Sequence, residues 1–146
     1  MGRRYPSQPV AGVGAIVLAD DQVLLVRRGR APQKGLWSIP GGAVELGETL
    51  AEAVTREVRE ECGLAVRPGV LVEVFERILR DAEARVEYHY VLMDYLCELE
   101  GGTLRAGDDA AEAAWVPLAQ LDELAMTRGT PAVIRKAHAL RAQVSL

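Results

Sequence analysis

Apolar and β-branched residues dominate two runs near the start of the chain, and each run predicts a β-strand. The runs are Val10–Leu18 and Gln22–Arg28. Asp20 and Asp21 stand between them, and such a short polar interval between two β-rich runs favours a tight turn. We therefore predict that the chain opens with a β-hairpin.

A polar loop and a short strand are predicted next. Gly29–Gly35 is rich in turn-forming and charged residues, which indicates a loop. Leu36–Ile39 follows as a short strand, which we expect Pro40, Gly41 and Gly42 to end. Another loop should then lead to a helix.

That helix has clear start and stop signals. Thr49 and Glu52 have the spacing of a capping box, in which each side chain bonds the other residue's backbone N–H. The helix should run to about Cys62 and end at Gly63, because glycine adopts the left-handed conformation common after a helix.

The second half of the chain predicts a strand-rich region followed by helices. The expected elements are one or two strands over Val66–Leu79, a long strand over Arg85–Glu100, an acidic loop over Asp108–Glu112, a short strand over Ala113–Val116, and helices over Leu118–Ala125 and Thr130–Ala142. No repeat, linker or low-complexity tract interrupts the 146 residues, so we expect a single domain over residues 1–146.

One face of the predicted first helix is unusual because its apolar stripe continues into acids. At 100° per residue, seven positions project within about 60° of one direction: Leu50, Ala53, Val54, Glu57, Glu60, Glu61 and Leu64. Amphipathic helices turn such a stripe inward. The three glutamates would repel one another there unless a cation compensated them. Grouped carboxylates suit Mg²⁺ or Mn²⁺, although a solvated acidic surface is the ordinary alternative.

The segment from Gly42 to Leu64 resembles the Nudix box, G-x5-E-x7-R-E-U-x-E-E-x-G-U, where U is aliphatic. It matches at every defined position: Gly42, Glu48, Arg56, Glu57, Val58, Glu60, Glu61, Gly63 and Leu64. Nine constrained positions within 23 residues make a specific signal. Flanking segments that include Trp37 and Trp115 extend the similarity over roughly residues 10–125.

The resemblance implies an α+β fold, a Nudix-type α/β/α sandwich in which helices flank a mixed β-sheet. It also implies hydrolysis of a nucleoside diphosphate linked to another moiety. Glu57, Glu60 and Glu61 are expected to bind divalent cations, Mg²⁺ or alternatively Mn²⁺, with the backbone carbonyl of Gly41 as a further ligand. Arg56 is expected to hold Glu57 in place through a charge-assisted hydrogen bond.

Other residues have roles that the sequence leaves open. Glu57 is one candidate for the general base. A separate loop often supplies this acid in the family, so Asp108, Asp109 and Glu112 are also candidates. Glu48 is expected to support the loop or the metal site from behind.

Substrate contacts are expected from strand ends and an aromatic residue. Arg27 and Arg28 end the second strand, and we favour Arg28 for phosphate binding because only one of two adjacent strand residues can face a site. Trp37 would either stack on a base or pack in the core.

ADP-ribose is the expected substrate, because Tyr88–Tyr95 looks like the corresponding segment of small bacterial ADP-ribose pyrophosphatases. Many ADP-ribose enzymes have a proline about sixteen residues past the box, where this chain has Arg80. Nucleoside triphosphates, oxidised ones included, therefore stay open as an alternative. A non-catalytic domain that senses a nucleotide is a third possibility.

Composition restricts partners and location. The formal net charge of −4 does not favour nucleic acid as a partner. No stretch has the ~20 apolar residues of a membrane span, and the segment after Arg3 and Arg4 fits a strand better than a signal peptide. Cys62 and Cys97 match no zinc or redox spacing, which favours buried thiols. We expect a cytoplasmic monomer or homodimer that binds a small nucleotide and no membrane.

Overall fold

Seven strands and two α-helices make up the fold of the computed structural model, which describes residues 3–107 and 109–144. The elements in chain order are β1 Val10–Ala19, β2 Gln22–Arg28, β3 Trp37–Ser38, β4 Gly41–Ala43, α1 Leu50–Cys62, β5 Leu64–Arg80, β6 Val86–Gly102, β7 Ala110–Pro117, a 3₁₀ helix Leu118–Glu123, and α2 Thr130–Val144.

The sheet is mixed. Its main order is β3-β2-β1-β6-β5, while β4 pairs with β1 and β7 pairs with β2. β1 and β6 run parallel, and every other pair is antiparallel. β5 and β6 form a long hairpin at one side of the sheet. The predicted hairpin of β1 and β2 is confirmed, with Leu18 opposite Val23 and Ala19 opposite Gln22.

Helices cover both faces of this sheet, and the strands are accordingly apolar on both sides. On β1, Val13, Ala15 and Val17 belong to the core beneath α1, whereas Ile16 and Leu18 belong to the core beneath α2. α1 contributes Ala53, Val54, Val58 and Cys62 to the first core, and α2 contributes Val133, Ile134 and Ala137 to the second. The expected mixed sheet between helices is confirmed.

The ends of α1 are where the sequence predicts them. The Thr49 side chain accepts a hydrogen bond from the Glu52 N–H, and the Glu52 carboxylate accepts one from the Thr49 N–H. Gly63 has φ 72°, and its N–H donates to the Arg59 carbonyl. These caps fix the length of the helix and therefore the positions of the acids on its last two turns.

Three predicted boundaries were wrong. Gly41–Ala43 forms β4 instead of a loop, because the absence of a Cβ at Gly41 lets its backbone approach β1: a Cβ there would lie 2.1 Å from the Val13 carbonyl oxygen. β7 begins at Ala110, so Glu112 lies in a strand and not in a loop. The segment after Pro117 is a 3₁₀ helix and ends at Glu123.

The inward face of α1 also differs from the predicted one. Glu61 is buried, but Glu60 is exposed, and the core positions are completed by Val58 and Cys62. The helix is rotated toward these two apolar residues, which places Glu60 at the solvent edge. Both cysteines are free and buried, as predicted. Within residues 3–107 and 109–144, none of the helices has the length and hydropathy needed to cross a membrane.

The capping box generates a stability prediction. Thr49→Ala should lower the free energy of unfolding by about 1 kcal/mol, because the Glu52 N–H loses its acceptor. Thr55→Ala is the matched control, since the Thr55 hydroxyl only donates back to the Ala51 carbonyl within the same helix. Urea denaturation of both variants measures the difference. Equal losses would show that the cap does not stabilise α1.

Candidate active site

The buried acid Glu61 lies where the last turns of α1 meet β4. Its side chain is 8% exposed, and one carboxylate oxygen accepts a hydrogen bond from the Gly41 N–H at 3.0 Å. The carboxylate of Glu57, one turn earlier, lies against Gly42, where an added Cβ would come within 2.4 Å of it. The two glycines therefore let both acids reach the backbone of β4.

Burial of Glu61 has a clear electrostatic consequence. Loss of hydration, followed by the nearby negative charge of Glu57, raises the pKa of Glu61 from 4.5 to about 8, while the Gly41 N–H opposes the shift. When Glu57 and Glu61 are both ionised, too little positive charge lies near Glu61 in the ligand-free protein to compensate them. A bound cation would supply the missing positive charge.

Arg56 connects the other acids. Its guanidinium donates to the Glu48 carboxylate at 2.6 Å, the Glu57 carboxylate at 2.7 Å and the Glu60 carboxylate at 3.2 Å. It also donates to the Ala43 carbonyl at 3.0 Å. The expected hydrogen bond between Arg56 and Glu57 is therefore present, although the helical position of Arg56 points away from the core. A long side chain can fold back in this way.

The hydrogen bond from Arg56 holds the pKa of Glu48 down at about 2, and the Glu45 N–H adds to the effect. The same contacts raise the pKa of Arg56. Glu48 therefore stays ionised and fixes the guanidinium from the side opposite Glu57. Its location behind Arg56 is consistent with the supporting position expected from the sequence.

An open cavity of about 360 Å³ lies beside these acids. Glu57, Glu60 and Glu61 line one side, and Arg28 and Asp109 contribute to the remainder. The cavity therefore combines carboxylates with a guanidinium, which is the chemistry needed to hold a cation and an anionic group next to each other.

The two adjacent arginines of β2 lie in different places. Arg28 lines the cavity, and its Nε donates to the Pro32 carbonyl at 2.6 Å. Across the described residues, Arg28 has no carboxylate ion-pair partner. Arg27, by contrast, is paired with Glu112 at 2.6 Å on the exposed surface. Strand alternation thus separates the two side chains, and Arg27 is not brought to the cavity.

Two further candidate residues lie outside the cavity wall. Trp37 is half-buried and packs against the core beneath α2, in line with the second of the two positions expected for it. Glu112 faces Arg27, because it lies opposite that residue in the β2–β7 pair. Asp109 does line the cavity, and it forms an ion pair with Arg30 at 3.2 Å. Asp108 lies outside the described residues.

The donor atoms at this site are carboxylate oxygens, the type that a hard divalent cation prefers. Within the part of the chain that the structure describes, no three His, Cys, Asp or Glu side chains are grouped closely enough to hold a metal ion. Glu60 is 44% exposed and bonded to Arg56, away from the buried acid. The under-compensated Glu57–Glu61 pair nevertheless offers hard oxygen donors beside an open cavity, and such donors suit Mg²⁺.

The structure adds three residues that the sequence did not single out. Phe75, Arg77 and Asp94 line a smaller cavity next to the first one, and Arg28 belongs to both walls. Asp94 could have been recognised by its position, since it replaces an apolar residue at an inward-facing place on β6 between Leu92 and Leu96. Phe75 and Arg77 gave no such signal, because only the pairing of β5 with β6 brings them to the cavity.

Comparison with known proteins identifies the fold and the family. The model of the NUDIX domain matches residues 8–137. A MutT NUDIX hydrolase from Burkholderia pseudomallei superposes with a TM-score of 0.77 and 31% identity, over 89% of this chain and 98% of that one.

Two curated relatives show the range of proteins that the chain resembles. The ADP-ribose pyrophosphatase of Methanocaldococcus jannaschii is 39% identical over 80% of this chain and 67% of its own length. The 8-oxo-dGDP phosphatase NUDT18 of Mus musculus is 33% identical over 80% of this chain but only 36% of its own length. The chain thus spans about a third of the mouse relative. The family model and the crystal-structure match indicate the same family, and the helix that carries the acids agrees with both. This chain belongs to the Nudix family.

Proposed function

We propose that this protein is a divalent-metal-dependent hydrolase that cleaves the pyrophosphate bond of a nucleoside diphosphate linked to another group. ADP-ribose is the proposed substrate, with AMP and ribose 5-phosphate as products. The observation that carries the proposal is the Glu57–Glu61 pair, in which a buried acid without sufficient positive charge lies beside an open cavity.

Glu57, Glu60 and Glu61, with the backbone carbonyl of Gly41, are the proposed metal ligands. When bound, Mg²⁺, or alternatively Mn²⁺, would neutralise the pyrophosphate charge and lower the pKa of a coordinated water toward neutrality. Glu61 is already fixed by the Gly41 N–H at 3.0 Å. Glu60 lies at the open side of the cavity, where it is accessible from solvent.

Arg56 is proposed as the positioning residue of the site. It contacts Glu57 and Glu60 from one end of its guanidinium and Glu48 from the other. This arrangement fixes the carboxylate of Glu57 without neutralising Glu61, since Glu61 accepts from the backbone of Gly41 and not from Arg56. Glu61, the acid with the least compensating positive charge, is thereby left available to the metal ion.

Arg28 is proposed to bind the substrate phosphates. Its guanidinium faces the cavity that the acids line, and a guanidinium binds phosphate oxygens through directed, charge-assisted hydrogen bonds. A positive group opposite the carboxylates would orient the pyrophosphate between them. Positioning of this kind accounts for much of the catalysis of phosphoryl transfer.

The general base is proposed to be Glu57 or an acid of the segment before β7. Glu57 is held by Arg56 at the cavity, and Asp109 lines the same cavity across from it. Asp108 stays a candidate from the sequence. Glu112 is the weakest of the four, because its carboxylate is paired with Arg27 away from the cavity. Removal of the proton from an attacking water by such a base contributes about 10²–10⁴-fold.

Support for the substrate comes from the archaeal relative, which is named an ADP-ribose pyrophosphatase. A second candidate function is supported by the mouse relative, which is named an 8-oxo-dGDP phosphatase. That name supports an oxidised nucleotide and refers to a diphosphate; hydrolysis of nucleoside triphosphates, oxidised ones included, is the alternative proposal made from the sequence. Both proposed reactions would use the same acids and Arg28. The substrates differ in their nucleobase and in the leaving group.

A substrate panel tests the proposed activity. With Mg²⁺, ADP-ribose should give the highest kcat/KM and yield AMP plus ribose 5-phosphate. The comparison substrates are 8-oxo-dGDP, 8-oxo-dGTP, dGTP and ATP, with products separated by chromatography. A higher kcat/KM for a triphosphate would reject ADP-ribose as the main substrate. Tight binding of a nucleotide without turnover of any member would instead reject the hydrolase and indicate a sensor domain.

Substitution of the buried acid tests the site. Glu61→Gln should lower kcat by about 10²-fold or more, because loss of even an outer partner of a metal site costs 10–100-fold. Glu98→Gln is the matched control, since Glu98 is 73% exposed and paired with Arg67 far from the cavity. Steady-state rates and Mg²⁺ titration of both variants provide the measurement. Full activity in Glu61→Gln would remove Glu61 from the mechanism.

The pKa of Glu61 predicts how metal-free stability changes with pH. The folded protein keeps this proton up to about pH 8, whereas the unfolded chain releases it near 4.5. The stabilising contribution is therefore complete below 4.5 and is lost as the pH rises through about 8. The melting temperature in EDTA should fall from about pH 4.5 to about pH 8 and level off above, and Mg²⁺ should reverse the fall at the higher pH. Glu61→Gln should show a flatter curve, and an unchanged curve would contradict the assignment.

A further inference from the structure

Asp94 is a buried acid that the proposed hydrolysis does not use. It is 6% exposed and lies on the inward face of β6. Within residues 3–107 and 109–144 its carboxylate accepts no hydrogen bond and forms no ion pair. Buried carboxylates almost always have such partners, because burial without them costs several kcal/mol. The Asp94 oxygens are not fully enclosed, since they open on a cavity, and the absence of a protein partner leaves them available to a donor in that cavity.

The neighbouring strand provides space for this acid. Gly14 lies beside Asp94 in the parallel β1–β6 pair, and a Cβ at Gly14 would come within 2.4 Å of a carboxylate oxygen of Asp94. Burial raises the pKa of Asp94 to about 6, since the positive charge of Arg77 only partly offsets the lost hydration. The fold thus accommodates an acceptor that it does not itself satisfy.

Asp94 lines one cavity, and a second space lies next to that cavity. The cavity at Asp94 has a volume of about 50 Å³ and is lined by Arg28, Ile39 and Phe75 among others. A groove of about 420 Å³ shares Phe75 and Arg77 with it and extends along β5. The cavity admits a small polar group and the groove admits a flat ring, since small-molecule sites usually occupy a few hundred cubic ångströms.

The chemistry of the walls suits a purine. Phe75 lines the groove with its ring, one face of which carries the Arg77 guanidinium, and base–aromatic stacking is a common way to hold a base. Arg77 lines the same cavity as Asp94 and carries hydrogen-bond donors. Its guanidinium lies 5.2 Å over the Phe75 ring, and one of its nitrogens donates to the Arg128 carbonyl. Adenine presents an amino donor next to a ring-nitrogen acceptor, which is the complement of Asp94 and Arg77.

We propose that Asp94 selects the nucleobase by accepting a hydrogen bond from the exocyclic amino group of adenine, with Phe75 and Arg77 forming the rest of the pocket. This proposal rests on the proposed function, because Arg28 joins the pocket to the cavity of the acids. A substrate with its pyrophosphate at Arg28 would extend its nucleoside toward Asp94. Ribose hydroxyls are also hydrogen-bond donors, and the test separates the two sources.

Hydrolysis of ADP-ribose and of inosine diphosphate ribose, which carries an oxygen in place of the amino group, tests the pocket. Wild-type protein should prefer ADP-ribose by about 10-fold or more in kcat/KM, mainly through KM, because hydrogen bonds to charged groups are the strong ones. In Asp94→Asn the preference should fall below about 3-fold, since an amide can pair with either group. Asp122→Asn, the same change at an 82% exposed site paired with Arg135, should keep the wild-type preference.

Thermal unfolding distinguishes selection from a structural role. Asp94→Asn removes an unpartnered buried charge, so its melting temperature near neutral pH should equal or exceed that of the wild type. A lower melting temperature, with equal losses on both substrates, would overturn the proposal.

Binding of the product nucleotides tests Asp94 without catalysis. Calorimetry should show tighter binding of AMP than of IMP in the wild type and no such difference in Asp94→Asn. If the protein hydrolyses neither diphosphate but keeps this Asp94-dependent preference, the proposed function fails and the pocket stands. Absence of the preference in an active enzyme, or binding of neither nucleotide, overturns the pocket. The assignment to the adenine amino group is overturned by an Asp94-dependent preference for AMP over 2′-deoxy-AMP. It is also overturned if Asp94 causes a preference for GMP over IMP but no preference for AMP over IMP.

Discussion

The guanidinium of Arg56 is the contact on which the proposed active site depends. It joins α1 to β4 through the Ala43 carbonyl and to the following segment through Glu48, and it gathers Glu57 and Glu60 at the same time. Acids one turn apart on a helix repel, so without this shared donor they would separate. Arg56 does not reach Glu61. The network therefore organises three acids and leaves the buried one under-compensated, which is the state that a cation-binding site requires.

A second constraint acts through the backbone of β4. Gly41 approaches β1 closely enough that a side chain would collide with the Val13 carbonyl, and Gly42 does the same beneath the Glu57 carboxylate. These contacts place a backbone N–H of the sheet directly against the Glu61 side chain of the helix. At this point β4 contacts α1 through its backbone and the carboxylates of the helix. Val54 and Val58 connect the helix to the sheet through the apolar core.

Local signals predicted much of the fold, and tertiary contacts decided the remainder. The caps of α1 follow from Thr49 and Gly63, and alternation correctly separated Arg28 from Arg27. The helical wheel gave Glu60 the wrong environment, because angular position does not say how far the neighbouring sheet extends over the helix. Phe75 reaches its cavity through the register of β5 on β6, and no short-range pattern in the sequence encodes that register. The period-two pattern of β6 could have marked Asp94 as an inward-facing acid, but only the structure shows that it lacks a partner.

Glu61 and Asp94 are two buried acids whose pKa values burial raises, and Arg28 lies in the wall of the cavity beside each of them. Among the described residues neither acid has an ion-pair partner, so in the ionised form both lower the stability of the ligand-free protein, and apolar residues of similar size would pack there at lower cost. One missing partner could be a local accident of packing. Two such acids near one guanidinium that has no carboxylate partner among the described residues are better explained by a single ligand that carries cations and phosphates at one end and a hydrogen-bond donor at the other. The stability lost in the empty protein then becomes binding energy directed at both ends of that ligand.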